Sequence, residues 1–186
     1  MKRILSVCLL TLFLLGCDKP DKSMTEVLNF RERILHAGNC TFQAEIAADY
    51  GSDIYRFSVD CTADREGNII FMITNPESIS GISGGISAAG GQLTFNGAVL
   101  GFPLLANGEL SPVSAPWIFF NSVRSGYLIS CASDADGIRL TVNDSYEEDA
   151  LQLDIWMKDS CVPYYAEILW RGRRILTLEV DNFEVL

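Results

Sequence analysis

The chain has 186 residues, of which 48% are hydrophobic, and its 24 acidic against 14 basic side chains give a net charge of −10. A chain of this length forms one domain with a substantial core. The acidic balance argues against nucleic acid as a partner and against electrostatic docking to anionic lipid.

The chain begins with the composition of an export signal. Lys2 and Arg3 precede an apolar run at 4–15, which has the length of a signal-peptide core and is too short for a stable membrane span. The run leads into the sequence LLGC, which closes on Cys17. This segment resembles the bacterial lipobox, and the resemblance implies that a diacylglycerol is attached to the Cys17 sulfur and that cleavage makes Cys17 the new N-terminus. An ordinary cleaved signal with a chance cysteine is the alternative.

Removal of the predicted signal peptide, residues 1–16, leaves 170 residues with a net charge of −12. A single acyl chain binds a protein only marginally to a membrane, whereas two or three chains, such as palmitate, hold it firmly. We therefore expect a lipid anchor at the extracytoplasmic face of the cell membrane, on the periplasmic side in a Gram-negative cell. Residues 17–24 are polar and predict a tether, and a single domain is expected at 25–186.

The first predicted element of the domain is a helix at 25–37. Its apolar side chains fall on one stripe, formed by Val27, Phe30, Ile34 and Leu35. Gly38 follows the stripe and marks the helix end. The single histidine, His36, lies near that end, where a surface or capping role is expected and catalysis is not.

The cysteines of the mature chain predict disulfide bonds. An even number in an exported domain favours two of them, among Cys40, Cys61, Cys131 and Cys161. Residues 40–61 have the alternation of a β-hairpin. A turn centred between Tyr50 and Gly51 places Cys40 directly opposite Cys61, at a separation that a disulfide can bridge. The remaining two cysteines are paired by elimination.

From Cys40 onward the pattern is mostly β. Asn96-Gly97 is the strongest hairpin signal in the chain and predicts a hairpin at 91–102. Other strands are predicted at 68–75, 126–133, 137–144, 150–158, 164–172 and 173–183. Successive antiparallel hairpins of this length indicate a meander that forms one large, strongly curved sheet.

Two segments interrupt the meander. Residues 76–91 are rich in glycine and lack both a basic residue and a phosphate-loop motif, so a loop or lid is expected there. Residues 111–126 predict a short amphipathic helix that carries Trp117, Phe119 and Phe120. These aromatic side chains are predicted to contact an apolar ligand beneath the lid; the alternative is that they complete a solid core.

Motifs for catalysis or metal binding are weak. The turns at 134–137 and 143–149 contain only a fragment of a calcium loop, and Asp and Gly are also what hairpin turns require. No C-x-x-C sequence is present, and a single histidine in the terminal helix is poorly placed to act as the base for a serine nucleophile. We therefore expect no catalytic residue, no metal and no cofactor, and a protein that is not an enzyme.

The order of these parts resembles the LolA, LolB and RseB superfamily of lipoprotein carriers and receptors. The shared features are a lipidated N-terminus, one helix, a long antiparallel meander, short helical lids in mid-chain and a final strand. The resemblance implies a mainly β fold with a few helices (α+β), an unclosed barrel covered by the N-terminal helix and the lids. It also implies an apolar concavity that binds a lipid, a lipoprotein or another apolar ligand. The alternative is a lipoprotein that docks or senses an envelope protein without a small-molecule ligand.

Overall fold

The structure, a computed structural model, describes residues 22–51, 53–103, 105–106 and 109–186. The predicted signal peptide, the lipidation site Cys17 and most of the predicted tether lie outside these residues, and lipidation stays a prediction. Among the described residues, no helix combines the length and apolar content needed to cross a membrane.

The described chain is mainly β. Its α-helices are α1 (Lys22–His36) and α2 (Ala115–Ser125), with short 3-10 turns at Pro112–Ser114 and Asp159–Cys161. Its strands are β1 (Asn39–Asp49), β2 (Ile54–Asp64), β3 (Ile69–Asn75), β4 (Ser83–Ser87), β5 (Gly90–Phe95), β6 (Ala98–Phe102), β7 (Leu105–Ala106), β8 (Glu109–Leu110), β9 (Tyr127–Asp134), β10 (Gly137–Asn143), β11 (Leu151–Met157), β12 (Pro163–Trp170) and β13 (Arg173–Val185).

Eleven of these strands form one antiparallel sheet in the order β6-β5-β4-β3-β2-β1-β13-β12-β11-β10-β9, and β7 pairs only with β8. The sheet is not closed, because β6 and β9 stand at its two ends. Alternate residues of β1 are buried, and we call the face that carries Phe42 the inner face and the opposite one the outer face. The predicted fold class, an unclosed antiparallel meander with few helices, is confirmed.

Helix α1 packs through the predicted stripe. Val27, Phe30 and Ile34 are buried, whereas Leu35 is 43% exposed, so the stripe is narrower than expected. The helix begins at Lys22, three residues before the predicted start, and the end of the assigned tether is therefore helical.

The glycine-rich segment is not a lid. It forms β4 and the start of β5 inside the sheet, because two of its glycines make room for aromatic rings on neighbouring strands. A Cβ built on Gly84 would lie 2.6 Å from Cζ of Phe71, and one on Gly91 would lie 2.2 Å from Cζ of Phe102. Each glycine is the direct cross-strand partner of that ring, so the ring supplies the packing that glycine lacks.

The first hairpin forms as predicted, but its register is two residues different. Asp49 pairs with Ile54 across a loop of four residues instead of two, and Cys61 therefore lies opposite Phe42, not opposite Cys40. Diagonal neighbours in a sheet have Cα separations of about 7–8 Å, beyond the usual range for a disulfide. Accordingly, Cys40 and Cys61 are separate buried thiols in the structure.

The other two cysteines lie apart from this hairpin. Cys131 is half-buried on β9 opposite Leu140, and Cys161 is buried in the turn after β11. Their pairing, inferred by elimination, stays a prediction.

Alkylation of Cys40 and Cys61 tests the register observed for the first hairpin. We expect iodoacetamide to modify Cys40 and Cys61 only after unfolding, and without prior reduction. Burial hides both thiols and raises their pKa, so that little thiolate is present at pH 8. Peptide mapping of the denatured chain, with and without reductant, gives the result; a requirement for reductant at both positions would restore the predicted disulfide.

Candidate binding surfaces

The inner face of the central strands is filled by aromatic side chains. Phe42 lies 5.7 Å from Phe119 and 6.3 Å from Phe120 between ring centroids, and 5.7 Å from Phe183. Both α2 phenylalanines are at most 1% exposed. Phe119 and Phe120 therefore complete the core over the central strands, which was the alternative to a role as ligand contacts.

Trp117 is the predicted ligand contact that reaches the surface. Its side chain is half-buried and packs against the core. The α2 residue Asn121, four positions on, donates to the Trp117 carbonyl (3.0 Å) and to the Gly67 carbonyl (2.9 Å), which fixes α2 to the β2–β3 turn. The structure thus brings the three predicted aromatic residues together on one helix, and their contact with a ligand stays a prediction.

A buried arginine joins the two helices. Arg31 of α1 donates from Nη1 to the Gly126 carbonyl (2.7 Å) and from Nη2 to the Ser122 carbonyl (3.0 Å). A cation at these carbonyls supplies hydrogen bonds to the C=O groups at the C-terminal end of α2. Its positive charge also interacts favourably with the negative end of the helix dipole. Burial lowers the pKa of Arg31 to about 10, which leaves it protonated at neutral pH. Sequence patterning missed this contact because nothing local distinguishes Arg31 from an exposed helix residue.

The inner face becomes uncovered toward β6. One cross-strand row on this face consists of Phe42, Cys61, Phe71, Gly84, Leu93 and Leu100. Phe42 and Phe71 are 2% exposed, whereas Leu100 is 65% exposed. Phe95, on the same face, is 48% exposed. The hairpin formed by β5 and β6, hereafter the edge hairpin, therefore presents apolar side chains where the core ends.

The edge hairpin is continuous with the core. Leu93 and Phe102 are half-buried and pack against core residues, so that the apolar surface runs outward from the interior without a polar break. Residues 78–108 contain no charged residue at all. An acidic chain thus has one uncharged apolar surface at this end of the sheet.

Two depressions lie on the outer face. The first, of about 480 Å³, lies over β1 to β3 and is lined by Asp60, Ile70 and Met72 among others. The second, of about 650 Å³, lies over β3 to β6 where Gly85 and Gly101 leave the sheet without side chains. Ile70, a large apolar side chain that lines both depressions, is 70% exposed.

Two carboxylates of the outer face, Asp154 and Glu167, are held in ion pairs. Asp154, 4% exposed, accepts from Arg139 (2.6 Å) and from Thr141 (2.7 Å). Its cross-strand neighbour Glu167 accepts from Arg174 (2.7 Å). Each of these carboxylates has its own arginine, an arrangement that stabilises the sheet and offers no acid–base pair.

The acidic turns make local contacts. Asp144 accepts from the Leu151 N–H (2.8 Å), and Asp149 forms an ion pair with Arg171 (2.6 Å). Within the described part of the chain, no three His, Cys, Asp or Glu side chains converge to hold a metal ion. His36 is exposed at the end of α1.

Neither a family model nor a curated protein matches the sequence, whereas 66 chains of solved structures match the fold. A LolA superfamily protein from Nitrosomonas europaea is 12% identical, with a TM-score of 0.47 over 88% of this chain and 93% of that one. Lipoprotein LppX of Mycobacterium tuberculosis is 12% identical, with a TM-score of 0.49 over 89% and 96%.

A third match is the MucA/MucB complex of Pseudomonas aeruginosa, 12% identical, with a TM-score of 0.39 over 86% of this chain and 56% of that one. The matched structures include a LolA superfamily protein, the superfamily that the sequence resembles. All three scores lie below 0.5, and these matches concern the fold alone.

Proposed function

We propose that the protein is a lipid-anchored extracytoplasmic lipoprotein that binds an acyl chain of a lipid on the inner face of the edge hairpin. The observation that carries the proposal is the exposure of Phe95 and Leu100, 48% and 65%, on a face that is buried in the central strands. An apolar surface continuous with the core is stabilised by covering it. An acyl chain supplies such a cover.

The charge distribution supports an apolar ligand over a charged one. The uncharged stretch at 78–108 ends at Glu77 and Glu109, so the nearest carboxylates in the sequence lie outside the edge hairpin. A charged peptide would find no counter-ion on this surface, whereas methylene groups each contribute about 0.8 kcal/mol on burial.

The proposed lipid anchor would place the domain close to the bilayer. Acylation of Cys17 would keep the domain within a short tether of the bilayer, where lipid is abundant. The acidic surface repels anionic headgroups, so that the anchor and the apolar surface, not electrostatics, would bring the protein to lipid.

A second candidate is docking of an envelope protein at the first outer depression. Ile70 and Met72, 70% and 47% exposed, stand there beside Asp60. Such a surface suits a basic segment with an apolar anchor residue. This candidate requires no lipid on the inner face.

Photo-crosslinking distinguishes the two candidates. The full chain in mild detergent is mixed with a phospholipid that carries a diazirine in its acyl chain, illuminated and digested with a glutamate-specific protease. Cleavage after Glu77 and Glu109 releases the edge hairpin in one peptide. We expect a cross-link in this peptide that excess ordinary phospholipid removes.

The matched variants are Phe95→Asp and Thr94→Asp, neighbours whose side chains point to opposite faces of β5. Phe95→Asp should weaken binding about tenfold or more, because it removes apolar contact and buries a charge. Thr94→Asp should bind as the parent does. Equal cross-linking of both variants, or none in the parent, would contradict lipid binding at this surface and favour the docking role.

A further inference from the structure

The two end strands of the sheet are protected very differently. Strand β9 has an irregular register near Ser130, ends in Asp134, and is crossed by α1, whose Ser23 hydroxyl lies 3.1 Å from that of Ser133. Bulges, charges and covering helices are the usual means of preventing strand addition at a sheet edge. The β9 edge uses all three.

Strand β6 uses none of these means. Its pairing with β5 is regular, and the strand carries no charged residue. Val99 and Leu100 are 64% and 65% exposed and point to opposite faces. Within the described residues, β6 pairs with β5 alone, so its other edge is open to strand addition.

The tight turn of the edge hairpin determines which backbone groups face that open edge. Asn96 and Gly97 have φ of 48° and 80°, as a two-residue hairpin turn requires. Phe95 and Ala98 then form the hydrogen-bonded pair that closes the turn, and bonded pairs alternate with unbonded ones along the ladder. Val99 and Gly101 therefore direct their N–H and C=O groups away from β5.

We propose that β6 pairs antiparallel with β6 of a second copy of this chain, across a two-fold axis at Leu100. In this register Val99 lies opposite Gly101 of the second copy, and Gly101 lies opposite its Val99. Both are outward-facing residues, so two bonded pairs form and each exchanges two hydrogen bonds. Isologous contacts of this kind close after two subunits.

Other two-fold registers form fewer hydrogen bonds. Centring on Val99 would place Gly101 opposite Gly97, which belongs to the turn. Centring on Gly101 would place Val99 opposite Pro103, which has no N–H to donate. The Leu100 register is the one that uses every outward-facing group of β6.

Side-chain sizes match the same register. Leu100 meets Leu100, Val99 meets Gly101, and Ala98 meets Phe102. A Cβ built on Gly101 would have no atom of the described residues within 4 Å, so nothing in the described part of its own chain requires a glycine there. The Val99 side chain of a second copy would occupy the space beside it.

Charge favours a second copy at this edge and disfavours it elsewhere. Each chain carries a net charge of −10, which opposes contact between acidic surfaces. The uncharged stretch at 78–108 contains the edge hairpin, so two copies meet here without opposing carboxylates. The resulting dimer would extend one apolar inner face across both chains.

A cysteine at the axis tests the proposal. Leu100 and its counterpart form an unbonded pair with Cα atoms about 4.5 Å apart, within disulfide range. The full-length Leu100→Cys chain, extracted in mild detergent, should therefore form a covalent dimer on a non-reducing gel. Ile129→Cys is the control, since Ile129 is 58% exposed on the protected edge strand β9. Equal cross-linking of both variants, or none at position 100, would overturn the proposal.

Charge exchange at the same position tests the register. Leu100→Asp and Leu100→Lys should each be monomeric by light scattering in detergent, because like charges oppose one another at the axis. An equimolar mixture should recover the dimer. Phe95→Asp, which removes the proposed lipid contact from the adjacent strand, should stay dimeric. A monomeric parent, or a mixture that stays monomeric, would contradict the β6 pairing whether or not lipid binds.

Discussion

Replacing Phe42 by alanine is expected to lower the free energy of unfolding by about 4 kcal/mol, the usual cost of emptying a buried phenylalanine site. Phe42 is 2% exposed and contacts three rings, those of Phe119, Phe120 and Phe183. These rings join the sheet to α2 and to the last strand. Local collapse cannot compensate for removal of the Phe42 ring, because its partners are held on two separate elements, α2 and β13.

Urea denaturation followed by tryptophan fluorescence measures this effect, since Trp117 lies on α2 beside the affected core. Phe95→Ala is the matched control: the same change at a side chain that is 48% exposed should cost less than about 1 kcal/mol. A small loss at Phe42, similar to that at Phe95, would mean that the inner face is not packed as the structure has it.

Replacing Cys17 by serine should abolish acylation and release the protein from the membrane, the largest change expected from any single substitution. The thioether that carries the diacylglycerol requires sulfur, and without it the acidic mature chain has no attraction to an anionic bilayer. Metabolic labelling with an alkyne palmitate analogue, together with membrane fractionation, measures both outcomes.

Cys8→Ser provides the control for this substitution. Cys8 lies within the predicted signal peptide, which is removed, so its replacement should leave both the label and the membrane fraction unchanged. Membrane retention of the Cys17→Ser protein without label would contradict the lipoprotein assignment and favour the ordinary cleaved signal.

Local signals in the sequence predicted most of the fold. Alternation over 151–157 and the Asn96-Gly97 turn depend on neighbours within a few residues, and β11 and the edge hairpin follow them closely. The stripe of α1 is equally local. Because these patterns are generated by the strand and helix repeats themselves, one sequence was sufficient to identify the meander.

Features that depend on distant residues were not predictable. The glycine-rich segment forms β4 and the start of β5, and two of its glycines contact rings that lie elsewhere in the sequence, on β3 for Gly84 and on β6 for Gly91. The first hairpin has a four-residue loop in which the Asp49 carboxylate accepts from the Gly51 N–H (2.8 Å). The longer loop shifts the register by two residues without changing which face is buried.

The candidate site was predicted only in part. The aromatic residues of α2 were identified from their apolar character, but whether they line a pocket or fill a core depends on Phe42 and Phe183, which the sequence does not place near them. The edge hairpin was identified as a hairpin and not as a surface. The hairpin is exposed because it lies at the end of the sheet. That position depends on the order of the strands in the sheet, which local sequence patterns do not give.

Lipid extraction from the purified protein tests the central claim most directly. The full chain and Phe95→Asp are purified from the same host in the same detergent, and non-covalent lipid is extracted with organic solvent and quantified by mass spectrometry, so that the covalent anchor is not counted. Lipid bound to the parent and lost from Phe95→Asp, with Thr94→Asp resembling the parent, is the result that acyl binding at the edge hairpin predicts. A parent protein without lipid, or equal lipid in all three proteins, would contradict it.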